Sequence, residues 1–404
     1  MFTRDFAAEA AGYQAVLTDI RRDLHQIPEF GINLPKTRER ILASIHGLGE
    51  IHLSERQSSI VLHIKGALPG PTVLLRADMD ALAVTEATGL DFASTNGYMH
   101  ACGHDLHMAI GIGAAHLIAT HKDKLKGDVI IWFQPGEEGH GGADIMLEEN
   151  LHMVTGSKPI AAYGIHVTSS WQKPYTFGGK SGALMASASD MKVTFKGRGG
   201  HGSSPWMAKD PISAMTEAIN ALQTMVTKRF NAFDPVVINV GWIRAGDDHT
   251  TNVIPETASF GATIRTFSPG NLAKVQEHAS ELLDGIAKAF GVEVSYEIGS
   301  FPTEVVMNDP AATDLVRKVV KETFGEDRWM EWPHPIAGAE DFGSIVREIP
   351  GAFIFLGASP DKEGWMNAAP NHSNYATFDE GVLPDGAALL AGLAFEVLEA
   401  ASQN

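Results

Sequence analysis

Four short, almost uninterrupted apolar runs constrain this chain more than any other feature. They are Thr72 to Arg76 (TVLLR), Asp128 to Phe133 (DVIIWF), Ala161 to Val167 (AAYGIHV) and Phe353 to Leu356 (FIFL). A strand with one face in water alternates apolar and polar residues. A strand covered on both faces reads as a continuous run. Helical patterns lie around these runs, as at Thr37 to Gly47 and Leu106 to His121. Together they predict an α/β domain, a mixed sheet flanked by helices on both faces. A chain of 404 residues is long enough to bury a sizeable core without staples.

The middle of the chain follows another pattern. Asp190 to Lys196 alternates, with Met191, Val193 and Phe195 on one side. A glycine-rich turn, GRGGHGSSP, follows. Asp210 and Pro211 then mark a helix start, as N-cap and first helical residue. The helix's apolar face reads Ile212, Met215, Ile219, Leu222 and Val226. Val236 to Ile243 is a strand, and Glu256 to Thr266 alternates again through Ala258, Phe260, Ala262 and Ile264. Asn271 to Phe290 is an amphipathic helix, and Gly291 to Ile298 a last strand. The order β-α-β-β-α-β predicts a ferredoxin-like α+β domain inserted at residues 183–298. The α/β domain is then discontinuous, residues 1–182 and 299–404.

Charge and cysteine content narrow the setting. The chain carries 31 basic and 49 acidic residues, a formal net charge of −18. Such a surface repels phosphate backbones and anionic lipid, so neither nucleic acid nor membrane is an expected partner. The single cysteine, Cys102, cannot form an intramolecular disulfide, which fits a reducing compartment. The first residues contain no apolar signal core, and the apolar run Ala109 to Thr120 is too short to span a bilayer. A cytoplasmic location is expected.

Polar residues collect just beyond the expected strands. After TVLLR comes Ala77-Asp78-Met79-Asp80, and after DVIIWF comes Gln134-Pro135-Gly136-Glu137-Glu138. His166 ends the third run, and His372 lies far downstream in Asn371-His372-Ser373. Ligands of open α/β sheets bind beyond the carboxyl ends of strands. In His100-Ala101-Cys102-Gly103-His104, a thiol and an imidazole stand two apart at a helix start. Thiolate, imidazole and carboxylate are ligands of zinc and neighbouring transition metals. A nucleophilic Cys102 activated by His104 is the alternative. Glu137-Glu138 reads by itself as two solvated loop charges. Beside a metal, one carboxylate can bind the ion while its neighbour accepts a proton from water. In the inserted domain, Arg198 and His201 stand among glycines, Asn252 precedes Val-Ile-Pro, and Arg265 suits a carboxylate clamp.

Taken together, these segments resemble the M20 metallopeptidase family, most closely its aminoacylase/amidohydrolase branch. That branch includes hippurate hydrolases and auxin–amino acid conjugate hydrolases. The matching stretches run in family order. They are RRDLHQIPEFG (Arg21 to Gly31), RADMDAL (Arg76 to Leu82), HACGHDLH (His100 to His107), QPGEEG, GIHV, GRGGHGSSP, NVIP with Arg265, GAEDFG (Gly338 to Gly343) and NHS. The resemblance implies a catalytic domain with an inserted lid that mediates homodimerisation. It implies two divalent metal ions, zinc or else manganese, nickel or cobalt. Cys102 would bridge them, with His104, Glu138, His166 and His372 as the other ligands. Glu137 would be the general base, and Asp80 would orient a ligating histidine. His201 would help stabilise the oxyanion, while Asn252 and Arg265 would hold the substrate carboxylate or carbonyl. The chain departs from the family at Gly246 to Thr251, where two acids and a histidine replace small residues. That stretch bears on substrate preference.

The expected reaction is metal-dependent hydrolysis of N-acyl amino acids, with a dipeptidase or carboxypeptidase acting on small peptides as the alternative. A metal-stabilised binding protein without activity, and a cysteine-nucleophile hydrolase, are the readings from other classes.

Overall fold

The computed structural model describes residues 2–403. The chain divides into two compact units. One holds residues 1–184, 306–334 and 341–404, the other 185–305 and 335–340. The second unit extends past the expected boundary at 298 because its last strand, Glu293–Thr303, outruns its apolar pattern. A return segment, 335–340, joins it without any pattern to mark it.

The first unit is built on an eight-stranded mixed sheet. Across it run Glu50–Leu53, Ile60–Lys65, Lys126–Gln134, Leu68–Asp78, Ala161–Thr168, Gly351–Gly357, Phe177–Gly179 and Trp329–Glu331. The four in the middle are parallel to one another, and these are the four apolar runs. Antiparallel strands flank them. Alternate residues of each central strand face opposite layers. Val73, Leu75 and Ala77 enter the main core with the helices Gln14–His25, His104–Thr120 and Leu383–Ala401. On the other face, Arg76 and Gln134 meet Asp341 at the start of the Phe342–Glu348 helix.

Glu380–Ala401 is apolar and long enough to cross a membrane, but 78% of its apolar window is buried inside the chain. It packs on the His104–Thr120 and Phe2–Ala11 helices, so its apolarity belongs to the core. The crossing with His104–Thr120 is close. A side chain at Gly113 would meet Ala387 Cβ at 2.8 Å and Leu17 Cδ1 at 3.1 Å.

In the second unit, four strands form one antiparallel sheet in the order Val236–Ala245, Thr257–Thr266, Ser187–Lys196, Glu293–Thr303. Numbered along the chain, that order is 2-3-1-4, the ferredoxin-like arrangement. The helices Pro211–Arg229 and Asn271–Phe290 share its core. Asp210 caps the first of these, accepting from the backbone N–H groups of Ile212 and Ser213. The buried face of that helix is rotated from the expected one. Ala214, Met215, Ala218, Leu222 and Met225 are buried, while Ile212, Ile219 and Val226 sit at the margin, partly exposed. The small Ala214 and Ala218 permit close approach to the sheet, which a ranking by hydrophobicity alone does not reveal.

Gly113→Val should lower stability by about 1–3 kcal/mol, the usual cost of forcing extra volume into a close helix crossing. The check is a lower urea midpoint with an unchanged m-value.

Candidate metal centre

The site forms where the central strands end. The Leu68–Asp78 strand delivers Asp78 and Asp80, Lys126–Gln134 delivers the Glu137-Glu138 loop, and Ala161–Thr168 carries His166. Cys102 and His104 arrive at the start of the His104–Thr120 helix. Between them Gly103 has φ +86°, and a Cβ there would strike Val167 Cγ2 at 2.4 Å. Only glycine allows that turn against the neighbouring strand.

The structure brings all five expected ligands together. Cys102 Sγ lies 3.4 Å from His166 Nε2 and 3.2 Å from His372 Nε2. His372 Nε2 is 3.2 Å from Glu138 Oε1. Cys102 belongs to two three-donor groups, one with His104 and His166, the other with Glu138 and His372; the atoms of each lie within 4.8 Å of one another. His104, Glu137 and Glu138 form a further such group, with Glu137 Oε2 3.9 Å from His104 Nε2.

The histidine tautomers suit a metal. His104 Nδ1–H donates to the Asp80 carbonyl at 2.8 Å, and His166 Nδ1–H donates to the Val167 carbonyl at 2.8 Å. Both rings therefore turn Nε2 inward, the nitrogen left to coordinate an ion once it carries no proton. His104 Nε2 is buried and has no hydrogen-bond partner among the described residues. Ligands about 2.0–2.3 Å from a shared tetrahedral ion stand roughly 3.3–3.7 Å apart, close to the 3.2–3.4 Å between Cys102, His166, His372 and Glu138 here. Thiolate, imidazole and carboxylate donors select a borderline transition metal over calcium or magnesium. The residues present fit the group.

A second layer holds these donors. The Asp80 carboxylate accepts from the backbone N–H groups of Glu137 and Glu138, each at 3.1 Å. Its nearest oxygen is 3.6 Å from His104 Nδ1, so the expected orienting of that histidine falls to the Asp80 carbonyl. Asn371 donates to the carbonyls of Cys102 and Val167 at 3.1 and 3.0 Å and accepts from Ser169 N–H at 2.9 Å. It thereby pins the His372 loop, whose backbone is left-handed at His372, φ +70°. His107 donates to Asp78 at 2.5 Å and accepts from Val167 N–H at 2.8 Å. Asp78, Asn371 and His107 have no assigned role in the sequence reading, although each lies inside a quoted motif or beside one.

Electrostatics follow from these contacts. Burial pushes His166 well down, aided by His107, so it stays neutral. Burial also opposes charge on His104, but the nearby Asp78, Asp80 and Cys102 outweigh it and raise the group well above its ordinary value. His372, hydrogen-bonded to Cys102 and then Glu138, is pushed up to about 10. Burial would raise Asp78, but Arg76 and the two histidines hold it well below the usual carboxylate range.

The remaining expected residues lie in the second unit. His201 pairs with Val253, and Gly202 N–H donates to the Asn252 carbonyl at 2.7 Å. His201 is exposed, and its Nδ1 accepts from Ser203. Arg265 lies within the Thr257–Thr266 strand, half-buried, and donates to Thr263 Oγ1 at 2.6 Å.

A proton raised to about 10 on His372 competes with any ion for the same nitrogen. Metal binding at neutral pH should therefore release protons, and apparent affinity should rise with pH up to about 10. Calorimetry in buffers of different ionisation enthalpy checks this; a pH-independent affinity contradicts it.

The chain can now be set beside known proteins. The model of the family described as Peptidase family M20/M25/M40 matches residues 74–396. An N-acetyldiaminopimelate deacetylase of Bacillus cytotoxicus is 35% identical over 366 residues, 90% of this chain and 94% of that one. Thermostable carboxypeptidase 1 of Saccharolobus solfataricus is 34% identical over 386 residues, covering 94% of each. A crystal structure of the Bacillus subtilis YxeP protein, described as a dinuclear metal-binding peptidase from the M20 family, superposes with a TM-score of 0.82. It is 30% identical and covers 96% of this chain and 99% of its own. With its sheet, its donor cluster and these relatives in agreement, this chain belongs to peptidase family M20/M25/M40.

Proposed function

We propose that this metal-dependent amide hydrolase cleaves N-acyl amino acids, releasing a carboxylic acid and a free amino acid. The observation that carries the reading is the donor cluster, in which Cys102 is shared by two groups and Glu137 stands beside Glu138 and His104. Two divalent ions held by Cys102, His104, Glu138, His166 and His372 would supply Lewis acidity at the scissile carbonyl and lower the pKa of water to about 7. Glu137 accepts a proton from the attacking water and passes it to the departing amine. Its backbone N–H is fixed by Asp80, so the carboxylate starts from a set position. Because Ser203 occupies His201 Nδ1, the ring's Nε2 is the nitrogen left to donate to a developing oxyanion. Asn252 and Arg265 hold the substrate carboxylate or carbonyl.

Similarity to a deacetylase supports the N-acyl reading, and similarity to a carboxypeptidase keeps small peptides as the alternative. Both substrate types end in the carboxylate that Arg265 would bind. The second unit is also the proposed homodimer contact. Its edge strand, Val236–Ala245, presents exposed Val237, Trp242 and Ile243.

Released amine should be measured with N-acetyl and N-benzoyl amino acids beside dipeptides, with zinc or manganese added. Faster turnover of the N-acyl compounds is expected; a preference for dipeptides selects the peptidase reading. Glu137→Gln should keep its metal and lose roughly 10²–10⁴-fold in kcat, the range for a general base. Near wild-type kcat in that variant would remove Glu137 from the role. Chelation should abolish activity and a transition metal restore it.

A further inference from the structure

A second group of metal donors lies on the antiparallel edge of the first unit's sheet. Glu50 and His52 belong to the terminal strand, Glu50–Leu53, and His63 to its neighbour, Ile60–Lys65. The register pairs Glu50 with His63 and His52 with Val61. Residues two apart on a strand share a face, so Glu50, His52 and His63 project together. Asp128, on the next strand, joins them there, because its pairing partner Lys65 lies two residues beyond His63.

The contacts within this group are incomplete in a particular way. His63 Nε2 lies 2.9 Å from Asp128 Oδ2. A carboxylate only accepts, so Nε2 carries the proton, and a neutral ring leaves its lone pair on Nδ1. Nδ1 faces Glu50 Oε2 at 4.0 Å, beyond hydrogen-bond range. On the other side, His52 Nε2 stands 3.6 Å from Glu50 Oε1 and is buried with no hydrogen-bond partner among the described residues. Two imidazoles thus flank one carboxylate and neither bonds to it. An ordinary histidine–carboxylate pair would close to the spacing that His63 and Asp128 adopt. The three donor atoms lie within 4.8 Å of one another. Ligands about 2.0–2.2 Å from one tetrahedral ion stand roughly 3.4 Å apart, so closing the site asks for small adjustments of the exposed Glu50 side chain and of the two imidazoles.

We propose that Glu50, His52 and His63 form an accessory site for one divalent transition-metal ion of the zinc, nickel or copper class. Asp128 orients His63, as carboxylates commonly do behind ligating histidines. The ion clips the terminal strand to its neighbour and takes no part in hydrolysis.

The test counts metal on the full chain after stripping with chelator, reloading with zinc and dialysis. Wild type should retain one ion per chain more than His52→Gln, while hydrolysis by fully loaded His52→Gln is unchanged. Cys102→Ser, which disrupts the metal centre, should keep the accessory ion. Loaded with cobalt, Cys102→Ser should show visible absorption that falls when His52→Gln is added. Equal zinc content in wild type and His52→Gln, or a cobalt spectrum indifferent to His52, overturns the proposal. His52 is partly exposed, so this variant tests the site even if His63→Gln does not fold.

Discussion

Asp80 ties three parts of the metal centre to one residue. Its carboxylate accepts the N–H groups of Glu137 and Glu138, and its carbonyl accepts from His104. A carboxylate bonded to two consecutive backbone donors cannot drift, and neither can the loop it holds. The spacing between His104 and the two glutamates is therefore set by a residue that contributes no donor atom to the cluster.

Around that anchor the site brings together groups that would ordinarily repel water's departure. Asp78 is fully buried, and the Arg76 guanidinium beside it, with His107, makes its charge tolerable. Arg76 in turn reaches Asp341, which also accepts from Gln134 and from Ala143 N–H. Each buried charge thus has a partner within hydrogen-bond reach, which is the condition for keeping it inside. A related cluster lies behind the helix start. His25 bridges Asp105 at 2.8 Å and Glu86 at 3.2 Å, and Arg21 reaches Asp105 at 2.7 Å. This accounts for Arg21 and His25 in the RRDLHQIPEFG stretch, which supplies no ligand. They brace the segment that carries Cys102 and His104.

The two units are built differently. Parallel strands end together, so the first unit can bring residues from four distant segments to one place. The second unit is an antiparallel sheet with helices on one face. It offers a short pairing of His201 with Val253 and a half-buried arginine on a strand.

The sequence by itself determined the kinds of element, the four buried strands and the ferredoxin-like order, and it placed the candidate donors just beyond strand ends. Those properties are local: apolar periodicity, a cap at Asp210, a glycine between Cys102 and His104. What only the tertiary structure decided is which groups meet. The rotated face of Pro211–Arg229 depends on how small residues pack against the sheet. The role of Asp80 depends on whether its carbonyl or its carboxylate faces His104, a difference of 2.8 against 3.6 Å. Asn371, Asp78 and His107 act through contacts spanning up to 269 positions along the chain. No spacing in one dimension encodes a hydrogen bond made after folding has closed such a distance.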